Sequence, residues 1–191
     1  MTSIGAGGFS WRPARKRIMQ APGRQMRGGD MDASRMRRAL IVFFRLAMAW
    51  TFLYAASHQV FDPNFSVAGF LKGTKTFHDV YAPFTSAAWA PTLTFLVSYG
   101  HLLIGLSLLV GLYVRLSAAF GILLVLLYWT AHMDFPYIEN KNNFLLDFHI
   151  VYAGVLVLLI VERAGHVWGM DAWADKLAFF GRHPKLRWLV A

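Results

Sequence analysis

The side chains able to move protons in this chain lie inside or at the ends of apolar runs. They are four histidines (His58, His101, His132 and His149), with Asp147 two residues before His149, Tyr152 three after it, and Arg45 within the first run. An imidazole titrates near neutral pH, and an ionisable group in a membrane-spanning run needs a partner or a task. Asp147 and His149 fall about 200° apart on a regular helix, so both cannot face inward. Either Asp147 caps the helix and leaves His149 to the interior, or it is the acid of a proton relay. Tyr152 lies on the side of His149 and can donate a hydrogen bond. His101, Asp147, His149 and Arg45 form the candidate catalytic set, with Tyr128, Trp129, His132 and Tyr152 as walls of a binding site. His58 reads as structural or interfacial.

Cysteine is absent, which removes disulfides, thiolate chemistry, cysteine-ligated iron-sulfur clusters and covalently attached c-type haem. Two cofactor readings stand. A quinone needs an apolar cleft reached from lipid, aromatic walls and a His, Tyr or Asp to exchange protons with the ring oxygens. A noncovalent haem needs imidazoles facing across a bundle at similar depth, and His101 with His149 is the pair for it. No metal site is expected, because the spans lack the inward Glu and Glu-x-x-His set of carboxylate metal centres.

The elements that must position these residues are membrane helices. With 57% hydrophobic and 15% charged residues in 191, the chain is too apolar for an ordinary soluble domain. Sixteen Phe, seven Trp and seven Tyr suit a bilayer and its interfaces. Four spans are predicted: Ala39 to Ser57, Thr92 to Tyr113, Leu116 to Met133, and about Asn143 to Val161. On the first, Arg45, Ala49, Phe52 and Ala56 share a face; a buried role for Arg45 competes with snorkelling to the headgroups. On the second, Gly100, Ser107 and Gly111 form a small-residue packing stripe. On the third, Ala118, Gly121, Val125, Tyr128 and His132 share a face that widens toward a cavity. The connection from His58 to Pro91 is too apolar to lie free in water, and reads as short interfacial helices around Ser66 to Lys72 and Thr76 to Tyr81 that lid one mouth. Asp134 to Lys141 reads as a polar hairpin. Asp171 is placed to cap a final amphipathic helix, with Trp173, Leu177 and Phe180 toward lipid and Lys176 toward water.

The expected fold is thus an all-α integral membrane protein: a four-helix bundle at 39–165, a basic tail at 1–38 and an interfacial C-terminal segment at 166–191. The net charge of +9 does not imply nucleic acid, since nine Lys and Arg crowd residues 1 to 38 without a binding fold. Sixteen of nineteen Lys and Arg fall on the side of the tail, the Arg115 turn and the C-terminal region, Arg45 included. Both termini are therefore expected in the cytoplasm of a bacterial or archaeal cell, with the lid and hairpin outside.

FFRLAMAWTFLYAAS, FLKGT, YGHLLIGLSLLVGLYVRLSA, NFLLDFHIVYAGVLVLL and AGHVWGMD, in that order between residues 40 and 172, resemble the landmarks of the DoxX/DoxD membrane proteins. That family includes the membrane subunit of thiosulfate:quinone oxidoreductase. The resemblance implies a four-helix membrane protein tied to quinone-linked electron transfer, usually beside a second subunit. It implies roles for Arg45 in the first span and for Asp147 and His149 opening the fourth. Relatives often carry an acid in the second span where this chain has His101. The rival expectation is a noncatalytic accessory or assembly subunit whose small-residue stripes bind partner helices.

Overall fold

The structure, a computed structural model, describes residues 28–190; six of the nine tail cations lie outside the described residues. Helix α1, Gly28–Val60, runs unbroken through the expected start of the first span. Residues 30–60 contain neither Gly nor Pro, so nothing in the backbone stops the helix before the turn at Asp62 and Pro63. Its buried stripe is Ile41, Arg45, Met48, Ala49, Phe52 and Ala56, spaced by three and four residues as one helical face requires.

The lid segment forms α2, Val67–Leu71, capped by the Ser66 hydroxyl, then α3, His78–Tyr81, and a tight turn over Ala82–Thr85. Side chains tie it down: Tyr81 Oη lies 2.6 Å from Thr130 Oγ1, and the Thr94 hydroxyl accepts from the Val67 amide at 3.2 Å. Helix α4, Ala90–Val110, follows, with Pro91 in its first turn and Gly111 (φ 72°) closing it. Only a glycine takes that left-handed turn without strain. Helix α5 is Val114–Ala131. Helices α1 and α4 pack along each other, α4 touches α5, and α5 packs along the last long helix, α6, Phe148–Val161.

Close approach of α1 and α4 depends on Gly105, where a Cβ would fall 2.7 Å from Leu53 Cγ. Gly100, placed in the packing stripe by the sequence reading, has open space around it; the buried face runs through Ser98, His101, Ile104, Gly105 and Leu108 instead. The expected face of α5 is buried at Ala118, Gly121 and Val125. The core joins Phe52, Ile104, Leu108, Ala118, Leu156 and Leu159. A third or less of each long helix is buried inside the protein. Between Phe43 and Tyr54 of α1, and along α4 and α5, the exposed side chains are mainly apolar, including Phe43, Trp50, Phe95, Leu103, Phe120 and Leu123, as a lipid-facing surface must be. Three helices, Met31–Val60, Ala90–Val110 and Val114–Ala131, are long and apolar enough to cross a bilayer.

Two expectations are corrected. The polar hairpin is a small antiparallel sheet, β1 (Met133–Asp134), β2 (Tyr137–Ile138) and β3 (Asn140–Phe144), in that order. Its last strand takes residues assigned above to the fourth helix, which begins only at Phe148 because Asp147 caps it. The single C-terminal amphipathic helix is three short pieces, α7 (Asp171–Ala174), α8 (Ala178–Arg182) and α9 (Pro184–Arg187). Leu177 and His183 are non-helical between them. Phe180, expected toward lipid, is buried with Ala174 and Val190 against Leu112.

Candidate functional site

Buried polar side chains gather at two ends of the bundle. At the end nearer the termini, Arg45 is 3% exposed. Its Nη1 donates to the Ala164 and Val167 carbonyls at 2.7 and 2.9 Å, and Nη2 to the Trp168 carbonyl at 3.2 Å. These carbonyls belong to the chain leaving α6, where helix dipole and unpaired acceptors both favour a cation. Asp171 does not cap α7, whose N-cap is Met170. Its carboxylate accepts from the Tyr113 and Val114 amides at 2.7 and 3.2 Å, so it caps α5 from a distant point in the chain. Burial pushes the Asp171 carboxyl above its ordinary value, against the pull of the two amides, His166 and Arg45. Gly111 and Gly169 lie against the guanidinium, which leaves no room for a ligand.

At the sheet end, a cavity of about 250 Å³ is walled by Phe52 and Gln59 from α1, His101 from α4, Tyr128 and His132 from the end of α5, and Phe148, His149 and Tyr152 from α6. Asp147 explains how His149 comes to face it. One carboxylate oxygen accepts from the His149 amide at 3.0 Å, completing the N-cap, and the other lies 2.6 Å from His149 Nδ1. Capping thus places Asp147 outside the helix, and the two-residue spacing no longer sets the pair on opposite faces. Asp147 and His149 are 7% and 6% exposed. Tyr128 stacks nearly parallel to His149, 6.1 Å between centroids, and His132 is 5.2 Å from His149. Across the cavity, His101 is 5.8 Å from Tyr128 and 5.7 Å from Phe52.

The three histidines share one hydrogen-bonding scheme. His101 Nδ1 is 2.8 Å from the Val97 carbonyl, His132 Nδ1 is 2.9 Å from the Tyr128 carbonyl, and His149 Nδ1 faces the Asp147 carboxylate. Each partner can only accept, so the proton resides on Nδ1 and Nε2 is the exchangeable nitrogen. A buried Gln59 Oε1 adds an acceptor without a partner. The cavity therefore holds unpartnered hydrogen-bond acceptors in an otherwise aromatic enclosure. Beside it runs a groove of about 220 Å³ lined by Phe70, Leu71, Phe84, Leu93 and Leu127, with no charged side chain, and Tyr128 lines both.

Of the residues singled out from sequence, His101, Tyr128, His132, His149 and Tyr152 meet around the cavity, and Asp147 holds His149 in place. Arg45 is not among them: Gly111, which touches it, is ten residues along α4 from His101, roughly 15 Å of helix. Trp129 does not line the cavity; its indole donates to the Leu145 carbonyl at 3.1 Å. His58 is exposed and bonds back to its own helix at the Tyr54 carbonyl. Gln59 and Phe148 were missed. Gln59 continues the Arg45, Ala49, Phe52, Ala56 stripe by one more step of three, a signal present in the sequence.

Residues 40–133 match the DoxX family model. Those 94 of the 191 residues form a DoxX domain. Comparison with curated proteins and with solved structures finds no match. The DoxX match takes in Arg45, His101, Tyr128 and His132 and ends before Asp147, His149 and Tyr152, so the α6 wall of the cavity lies outside it. Among the described residues no group of three or more His, Cys, Asp or Glu is arranged to hold a metal ion. The cavity is smaller than the roughly 300–1,000 Å³ of sites that enclose a whole cofactor.

Proposed function

We propose that this DoxX-domain protein is the membrane subunit of a quinone-linked oxidoreductase, with the quinone ring seated among His101, Tyr128, His132 and His149. The observation that carries this reading is the junction at Tyr128 of a histidine-lined cavity with an apolar groove. A polar ring on a long hydrocarbon tail has that same division. Quinone chemistry takes up or releases protons at the ring oxygens, and positioned imidazoles can act as acid or base in that exchange. His149 exchanges through Nε2 while Asp147 fixes its ring and tautomer; His101 works from the opposite wall, and Tyr152 and Gln59 orient the ring. Thiosulfate is the donor class that the family resemblance implies, reached through a second subunit. Arg45, engaged by three carbonyls, takes no part in capturing that anion.

In the same proposal α6 is a fourth span and both termini are cytoplasmic. Its 14 residues reach about 21 Å, and the exposed Phe144, Leu145 and Leu146 extend its apolar band toward the sheet. Positive charge concentrated beyond the terminal end supports the orientation. Exposed Trp173, Phe179 and Trp188 among Arg182, Lys185 and Arg187 suit a headgroup interface.

Titration of the purified chain with a decyl-tailed benzoquinone tests the site. Saturable binding is expected, weakened at least about tenfold, or ~1.4 kcal/mol, by His149→Ala. If membranes carrying His149→Ala reduce a quinone analogue with thiosulfate as fast as wild type, the proposal fails.

A further inference from the structure

His132 lines two cavities. One is the enclosed site just described; the other is an outer mouth of about 230 Å³ whose polar lining is Lys75, Asp134 and Glu139. Exposure falls along the line between them: Glu139 is exposed, His132 half-buried, His149 and Asp147 buried. The arrangement is built rather than incidental. Glu139 turns the chain between β2 and β3 in a left-handed conformation (φ 62°), and its amide donates to the His132 carbonyl at 2.9 Å. Lys75 and Asp134 pair at 2.6 Å on the far rim, so Lys75 is already paired and Glu139 is the unpaired carboxylate of the mouth. Phe70 packs 4.7 Å from the His132 ring and closes the side toward the apolar groove.

From this geometry we infer that His132 carries protons between water at the sheet end and the buried His149–Asp147 pair, with Glu139 as the collecting group at the mouth. The inference deepens the quinone reading by assigning the side of the membrane with which the site exchanges protons. Proton balance is simple: each proton taken up at the mouth on His132 Nε2 is matched by one passed to His149 Nε2, while Nδ1–H of His132 stays on the Tyr128 carbonyl. Transport in the other direction reverses both transfers. The groups that face His132 are Tyr128 on its own helix, His101 on α4, His149 and Asp147 at α6, Glu139 and Asp134 on the sheet, and Lys75 from the lid. Of these, Glu139, Asp134 and Lys75 lie on the water side.

A test that needs no quinone keeps this inference separate from the reading it rests on. In full-length protein with ¹⁵N-labelled histidine, exchange of the proton that His149 carries on Nε2 with water is followed by NMR. His132→Phe preserves an aromatic ring against Phe70 and His149 but removes the carrier; exchange is expected to slow at least about tenfold, and Glu139→Gln to slow it less. Unaltered His101 resonances certify the fold. Because the native chain contains no cysteine, Glu139→Cys and His132→Cys give a second readout, with labelling by a membrane-impermeant thiol reagent expected only from the sheet side. Unchanged His149 exchange in His132→Phe, or labelling of the two cysteines only from the terminal side, overturns the inference. Failure of quinone to bind leaves both measurements readable.

Discussion

The two buried polar clusters of this bundle differ in what they leave free. Around Arg45 both terminal guanidinium nitrogens and both Asp171 oxygens are engaged, Arg45 Nε and, at the edge, His166 Nε2 lack partners, and glycines fill the remaining space. Around His149 three Nε2 atoms and Gln59 Oε1 are without protein partners and enclose open volume. A buried charge with its hydrogen bonds made and no room holds elements together; buried titratable groups with capacity and room are placed for a ligand. Intramembrane ionisable residues invite a functional reading by default. Arg45 shows how completing its partners can convert one into a staple.

The largest expected effect separates the clusters directly. Arg45→Met leaves three carbonyls and the Asp171 charge without their cation, and removing one member of a buried hydrogen-bonded set costs about 3 to 5 kcal/mol. A large fall in thermal unfolding temperature in detergent is expected. A stable Arg45→Met protein that no longer bound quinone would exchange the roles assigned to the clusters. Next comes Gly165→Ala, which places a methyl group 1.8 Å from Asp171 Oδ2. The carboxylate must then leave the Tyr113 and Val114 amides, at an expected cost of about 2 to 3 kcal/mol. Asp171→Gly in the same chain removes the clash, so the two losses should be less than additive.

In the cavity the expected split is between stability and turnover. Asp147→Ala removes an N-cap worth about 1 kcal/mol and frees the His149 ring. Asp147→Asn restores the cap, since asparagine caps as well as aspartate, but offers only one acceptor oxygen where His149 uses two. The asparagine variant is therefore expected to unfold near the wild-type temperature while its quinone-linked turnover stays at least about tenfold low. Recovery of both together would reduce Asp147 to a cap.

What was legible beforehand follows from the range of each signal. Helical periodicity and span length are local, so the faces of α1 and α5, and the membrane habit itself, could be read from spacing. The partners of Arg45 lie more than a hundred residues away, and those of Asp171 more than fifty; no local pattern announces them. Asn140–Phe144 carries neither alternation nor β-branched residues, and joins the sheet through a register irregularity at Tyr137 and Ile138. The Asp147 and His149 spacing was noticed but left two readings, because a cap and a relay use the same residues. The structure makes Asp147 a cap whose second oxygen also holds the His149 ring. Trp129 sat next to the correct face and was mistaken for part of it.

The smallest expected effect concerns the edge of the closed cluster. His166 Nε2 is buried without a partner, and burial, with help from Arg163 and Arg115, depresses the imidazole below its ordinary 6.5, against Asp171 and Asp175. The unfolded chain then binds the proton more readily than the folded one. This contribution to stability is complete above about pH 6.5 and is lost as pH falls through the depressed folded value. Asp171 runs the other way: its raised folded value favours the protonated fold, so acidification there adds stability. Unfolding temperatures of wild type and His166→Gln, taken from about pH 8 to about pH 5, isolate the histidine because Asp171 is common to both. The wild type is expected to lose more on acidification, with quinone binding equal in the two at each pH. A parallel pair of stability curves would remove His166 from the staple. Divergent binding would mean that the closed cluster communicates with the open one, and the separation drawn between them would no longer hold.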